Sequence, residues 1–413
     1  MWYNASSGVS RLESWKRNLV VLWLGVFLSN ASYTMVVPFL SLYLFELGVN
    51  KQTVNLWSGI IFSAAFFVGA IMAPYWGARA DQTGKRRMAI RAGISLTVVY
   101  LLAAFVRNPW ELLAVRMLQG FVSGFVPASM AIVASSVPQN KMGWSLGIMQ
   151  TAGATGGILG PLFGGLLSEF FGMRLAFVVS SVTILLATAA VWLFVKEEKI
   201  VQSQVKHRVI EDIKAAWHNR ILMKMLALLF IVQLVYMVLQ PLLTLYVTQL
   251  QGQVEGAVLS SGIIFSLSGI AGIIAAPYWG KIGQQKGFFN ILYIALIGAG
   301  IVNAAQFLSG DLWTFGTVQF VFGLFISGVL PAVNTIVVEH TDADFRGRAF
   351  GLTTSANQLG SMVGPILGGL LGSLAGIRFV FVCTGTMLVI VGLVVWKYLA
   401  KRKVSVPYQD SFH

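Results

Sequence analysis

The chain has 413 residues, of which 56% are hydrophobic and only 11% charged, and its mean hydropathy is +0.76. A soluble domain carries about 25% charged residues, so this balance excludes one. The net charge of +14 invites a nucleic-acid reading, but the basic residues sit in short loops between long apolar runs and report membrane topology instead.

Twelve runs are long enough to cross a bilayer, which takes about 20 residues each. The first six cover residues 17–45, 54–78, 88–106, 110–134, 142–168 and 173–195. The second six cover 221–249, 257–281, 289–308, 312–337, 347–373 and 377–399. Met1 to Asn18 is too polar for a cleaved signal peptide, so the first span is expected to serve as its own insertion signal. With the N-terminus inside, the cytoplasmic side carries 24 Lys and Arg residues and the outer side four, while Arg116 lies within the fourth span. That asymmetry predicts cytoplasmic termini, with the basic loops against anionic lipid head groups.

The first span holds Asn30, Tyr33, Pro38 and Tyr43; the seventh holds Gln233, Tyr236, Gln240, Pro241 and Tyr246. Lipid cannot satisfy polar side chains, so these must face a cavity or another helix. Asn30, Tyr33, Gln233, Tyr236 and Gln240 are therefore candidates to line a substrate cavity, with Gln150, Asn334 and Asn357 from the fifth, tenth and eleventh spans. Hydrogen bonding between helices accounts for any one of them equally well.

The second span ends in Ala73-Pro74-Tyr75-Trp76-Gly77 and the eighth in Ala276-Pro277-Tyr278-Trp279-Gly280, five identical residues at an offset of 203. This is an internal duplication in parallel orientation. It predicts two six-helix halves, residues 1–196 and 220–413, joined by a polar cytoplasmic linker, 197–219. A short surface helix is expected at Glu211 to Trp217. Past Gly77 come Arg79, Asp81, Gly84, Lys85, Arg86 and Arg87. Asp81 can accept hydrogen bonds at a helix N-terminus, where the dipole is positive, and the bases can hold helix ends together. The second copy keeps Gly280, Lys281, Lys286 and Gly287 but has Gln284 for the acid, so it should latch more weakly.

The fourth span carries Arg116-Met117-Leu118-Gln119-Gly120. A mid-helix arginine costs about 2.5–3.5 kcal/mol to insert, so it needs a partner or a wet cavity unless it snorkels at the outer rim. Further on, Ser123-Gly124 and Pro127 recur as Ser327-Gly328 and Pro331. The fifth span then carries a ladder: Gly147, Gly156, Gly160-Pro161 and Gly164-Gly165. It recurs 204 residues later as Gly351, Gly360, Gly364-Pro365 and Gly368-Gly369. Glycines four apart share a helix face, and the groove they leave lets a neighbouring helix approach closely.

Several absences narrow the chemistry. None of the fifteen acidic residues sits in the middle of spans one, four, seven or ten. Cys383 is the only cysteine, so no disulfide forms within the chain. His207, His218, His340 and His413 have no zinc-like neighbours, and no metal site is expected. No nucleotide-binding loop or hydrolase motif is found, which argues against an ATP-driven pump and against an enzyme.

The double ladder resembles the antiporter motif of the major facilitator superfamily, and the likeness covers nearly the whole chain. The loop Gly77, Asp81, Gly84, Lys85, Arg86 resembles that family's loop between helices two and three, with Gln82 where an arginine is usual. Arg116, Gln119 and Gly120 resemble its arginine motif. The resemblance implies an all-α fold of twelve transmembrane helices in two parallel, pseudo-symmetric halves that rock about a midplane cavity. It implies a twelve-helix drug:proton antiporter that exports small amphiphilic compounds, draws on the proton gradient without a cofactor and acts as a monomer. It also implies that the loop latches the outward-facing state and makes Arg116 the candidate for proton coupling. The missing mid-span carboxylate departs from many proton-coupled relatives. A glycolipid or lipid flippase, or a sugar or metabolite exporter, of the same superfamily is the alternative.

Overall fold

The computed structural model describes residues 5–138, 141–197, 214, 216–342 and 345–404, without the side chains of 5–14, 81, 143, 346, 347 and 399–404. Those residues form long helices, and no strand occurs among them. In chain order they are α1 (Ala5–Met35), α2 (Val37–Glu46), α3 (Val54–Thr83), α4 (Lys85–Phe105), α5 (Pro109–Val122), α6 (Phe125–Ser136), α7 (Met142–Phe171) and α8 (Met173–Phe194). Then come α9 (Arg220–Gln251), α10 (Ala257–Lys286), α11 (Phe288–Ala305), α12 (Leu312–Ile326), α13 (Val329–Glu339), α14 (Arg346–Ala375) and α15 (Ile377–Val404).

The expected spans map onto these helices, but three of the twelve are broken in two. The first breaks at Val36, two residues before Pro38, whose ring fits the opening turn of α2. The fourth breaks at Ser123–Gly124 and the tenth at Ser327–Gly328. Among the described residues, eleven helices or helix pairs are long and apolar enough to cross a membrane. The remaining one is α7, whose glycines and Gln150 dilute its hydropathy. Of the short surface helix expected at 211–217, only Lys214, Ala216 and Trp217 fall within the described residues, and all three are helical.

The chain packs as two compact units. One comprises Met1–Lys206 with Gln240–Ser266, the other His207–Leu239 with Leu267–His413. In the first, α1 packs along α7 and α8, and α4 along α8. Phe39, Tyr43 and Phe177 are wholly buried there, with the Phe39 and Phe177 rings edge to face at 5.2 Å. The Tyr43 hydroxyl donates to the Ala103 carbonyl at 3.2 Å. In the second unit, α11 packs along α15 and α12. Its core joins Leu292 and Leu296 to Phe322, Val333 and Leu388.

The duplication shows in the helix caps. Asn108 caps α5 by accepting from Glu111 N at 2.9 Å, and Asp311 caps α12 by accepting from Thr314 N at 2.9 Å. The Thr314 amide, helped by its hydroxyl, holds the Asp311 carboxyl below the usual carboxylate range. Two residues inside each cap stand Trp110 and Trp313, both highly exposed, where an interfacial aromatic belt would place them.

Candidate functional site

The two ladders do different work along their length. In the first unit, a Cβ on Gly156 would lie 2.6 Å from Phe27 O, and one on Gly160 2.6 Å from Ala31 O. One on Gly164 would lie 2.9 Å from Met35 Cα. These three glycines therefore seat α1 backbone to backbone on α7. Thr34 strengthens the seam, donating to Gly156 O at 3.0 Å. Gly165 opens a second face of α7, with Leu259 Cα and Val258 O each 3.1 Å from its Cβ position. In the second unit, Gly360 and Gly364 bring Phe230 O and Leu234 O each within 2.7 Å of their Cβ positions, and Gly368 lies against Val238. A Cβ at Gly147 or Gly351 meets nothing within 4 Å, so no close approach demands glycine there.

Arg116 is only 3% exposed, so it does not snorkel at the surface. It stands seven residues into the fourth span, about 10 Å from the start of α5 at 1.5 Å per residue. Its Nη1 donates to Gln119 Oε1 at 2.6 Å, and Gln119 Nε2 donates to the Tyr100 hydroxyl at 2.9 Å. The guanidinium also lies 5.8 Å from the Phe62 ring centroid. Its Nε is buried without a hydrogen-bond partner. Tyr33 completes the surround, edge-on to Phe66 at 6.2 Å. The cluster thus holds a buried cation beside an amide and the Phe62 ring, with the Tyr33 and Tyr100 phenols close by. Buried charge is costly without a counter-ion or a full set of hydrogen bonds, and the unpartnered Nε leaves the set incomplete. Gly120 acts structurally: Gly69 N would lie 2.9 Å from a Cβ there, so α3 and α5 touch at their backbones.

The other cavity candidates scatter. Asn30 lies against Gly153 and Gly156. Gln233 Nε2 donates to Ser361 Oγ at 3.0 Å, and Ser361 donates to the Asn357 carbonyl at 3.0 Å, so these serve the seam between α9 and α14. Gln240 Oε1 is buried without a hydrogen-bond partner. Gln150 and Tyr236 are exposed, and Asn334 is half-buried.

In the loop, Gly77 has open space at its Cβ position, whereas Gly84 has φ +101°, a conformation that favours glycine. The Asp81 side chain lies outside the described residues. Lys85 Nζ donates to Ala131 O at 3.4 Å, and Arg86 donates to Trp192 O.

The breaks at Ser123–Gly124 and Ser327–Gly328 free carbonyls that a membrane cannot hydrate, at several kcal/mol each. The repeated tryptophans answer this. Trp76 Nε1 donates to Phe121 O at 2.6 Å, and Trp279 Nε1 to Leu324 O at 2.7 Å. In the first unit Arg91 lies 3.5 Å from the Trp76 ring centroid and donates to Val122 O and Ser123 O at 3.2 and 3.4 Å. Sequence reasoning missed Tyr100, Arg91 and the tryptophan role. Only the tryptophan left a signal, in its repetition.

The family model of the Major Facilitator Superfamily matches residues 22–312 and 291–411. The chain is 35% identical to "Multidrug resistance protein MdtG" of Escherichia fergusonii over 393 residues, 94% of this chain and 96% of that protein. It is 33% identical to the protein of that name from Salmonella paratyphi B over 395 residues, 95% and 98% of the two chains. Among solved structures, a bacterial homolog to the human lysosomal transporter Spinster, in an inward-facing and unoccupied conformation, superposes with a TM-score of 0.77 at 16% identity, covering 94% of this chain and 97% of that one. The human organic anion transporter MFSD10 superposes with a TM-score of 0.69 at 18% identity, covering 92% and 99%.

Proposed function

The chain belongs to the major facilitator superfamily, and from that premise we propose that it is a secondary active exporter of small amphiphilic compounds, driven by proton entry through alternating access. The observation that carries this reading is the near-full-length similarity to multidrug resistance proteins. The two ladders, seated on α1 and α9 at backbone distance, support it. The halves 1–196 and 220–413 are its moving parts, and residues 197–219 connect them. Among the described residues no group of His, Cys, Asp or Glu is arranged to hold a metal ion.

Arg116 is the electrostatic determinant of the substrate and the candidate for proton coupling. Its unpartnered Nε and the Gln119–Tyr100 chain suit a carboxylate or phosphonate on a neutral, zwitterionic or anionic amphiphile, and its charge repels a dication. Asp81 is the acid of the first latch. The protein acts as a monomer.

In proteoliposomes, an imposed proton gradient should drive uptake of a zwitterionic fluoroquinolone against its gradient, and a protonophore should stop it. Uptake that persists with the protonophore, or none at all, refutes the reading. The orientation has both termini in the cytoplasm, because 24 basic residues flank one side and four the other. A cysteine introduced at Ser203 in a Cys383→Ser background should escape an impermeant thiol reagent in intact cells and react after permeabilisation. Ready labelling in intact cells reverses the orientation.

A further inference from the structure

We propose that Glu197, the first residue of the linker, is a positioning residue: it clamps the loop between α3 and α4 and so sets the rate of the transport cycle. Its Oε1 accepts from Lys85 N at 2.8 Å and its Oε2 from Arg86 N at 3.0 Å. These are the first amides of α4, which have no partner within the helix, and the helix dipole there favours an anion. The seat exists because residue 84 is glycine. Gly84 both turns the chain at φ +101° and leaves clear the spot where a Cβ would stand 3.0 Å from Glu197 Oε2.

The contact is reciprocal. While the Glu197 carboxylate closes the positive end of α4, the Arg86 guanidinium reaches back to the Trp192 carbonyl in the last turn of α8. Beside it, Lys196 is tied to α1: its N–H donates to Asn18 Oδ1 at 3.1 Å and its carbonyl accepts from Asn18 Nδ2 at 2.8 Å. Residues 196 and 197 thus pin α1, α4 and α8 where the linker departs.

The second unit fastens the matching end differently. From the ladders onward the repeat runs at 204, which puts Lys401 at the place of Glu197, and Phe288 stands 203 positions after Lys85. Rings fill the place: Phe289 meets Tyr398 at 6.3 Å and His340 at 5.8 Å, and Lys224 Nζ sits 3.7 Å from the Tyr398 centroid. Among the described residues, the carboxylate seat therefore occurs in the first unit only. A carboxylate on two amides can be exchanged for water as the loop moves, which a packed ring cluster cannot do.

The test uses the full-length protein in proteoliposomes. Amide exchange of the 84–88 segment is measured beside the concentration dependence of fluoroquinolone transport, for wild type, Glu197→Ala, Glu197→Gln and Glu197→Asp. Losing a charged hydrogen-bond acceptor should speed exchange at Lys85 and Arg86 about tenfold in Glu197→Ala. The same variant should change kcat several-fold at unchanged KM. Glu197→Gln should fall between, and Glu197→Asp should restore part of both effects. Unchanged exchange, faster exchange at unchanged kcat, or loss of folded protein that Glu197→Asp does not rescue each overturns the proposal. The exchange measurement stands by itself if wild type fails to move the fluoroquinolone, an outcome that refutes the substrate reading instead.

Discussion

Valine at Gly160 or Gly364 abolishes transport while the chain still reaches the membrane in normal amount. The argument is one of distance. A Cβ at Gly160 has 2.6 Å to Ala31 O, and one at Gly364 has 2.7 Å to Leu234 O, where van der Waals contact needs more than 3 Å. The Thr34 hydroxyl also stands against Gly160 and Met237 Cβ against Gly364, but the backbone oxygen in each case cannot turn aside, so the facing helix must move. Overpacking a core costs about 1–3 kcal/mol, and a branched side chain against a backbone belongs at the upper end. Insertion survives because valine is as apolar as the surrounding span. Gly147 and Gly351 are the internal control: with open space at both, alanine there is tolerated and favours the helix by about 1 kcal/mol. Efflux assays scaled to membrane abundance check all four positions. Normal transport by Gly160→Val, or loss of transport by Gly147→Ala, contradicts the packing argument.

Arg116→Gln should lower export of a zwitterionic antibiotic by at least about tenfold, the weight of one charged hydrogen bond of ~1.5–3 kcal/mol. Arg116→Lys should recover only part of it, because an ammonium keeps the charge but loses the paired geometry of the guanidinium. Export of a dicationic dye should be weak in wild type and no worse in Arg116→Gln. The prediction rests on the absence, among the described residues, of a carboxylate in contact with the buried guanidinium, whose partners are Gln119 and the ring of Phe62. Strong dication export by wild type, or unchanged zwitterion export by Arg116→Gln, overturns it.

The spans and the duplication could be read from sequence because lipid imposes a simple rule: about 20 apolar residues per crossing, with charge kept outside. Gly156, Gly160 and Gly164 were legible for a similar reason, since spacing alone puts them on one face. What stayed hidden depends on contacts between residues far apart in the chain. The breaks in the fourth and tenth spans follow Ser-Gly pairs that a helix can also absorb, and what closes them are indoles 45 residues away. Glu197 lies 112 residues from the amide it accepts from, in a stretch that reads as the start of a polar linker. Tyr100, one tyrosine in the third span, has no periodicity that would join it to Gln119. Pro38 and Pro241 show the same limit: they match in the repeat, yet only the first accompanies a broken helix, while Pro241 lies within α9.

The central claim is antiport, and the most direct measurement is of the proton itself. Proteoliposomes holding the purified protein and a lumenal pH dye are given a gradient of zwitterionic fluoroquinolone as the only driving force. The account predicts proton movement opposite to the substrate, abolished by Gly160→Val and reduced by Arg116→Gln. Substrate flux without proton movement, or movement of labelled glycolipid between leaflets in place of either, would contradict it.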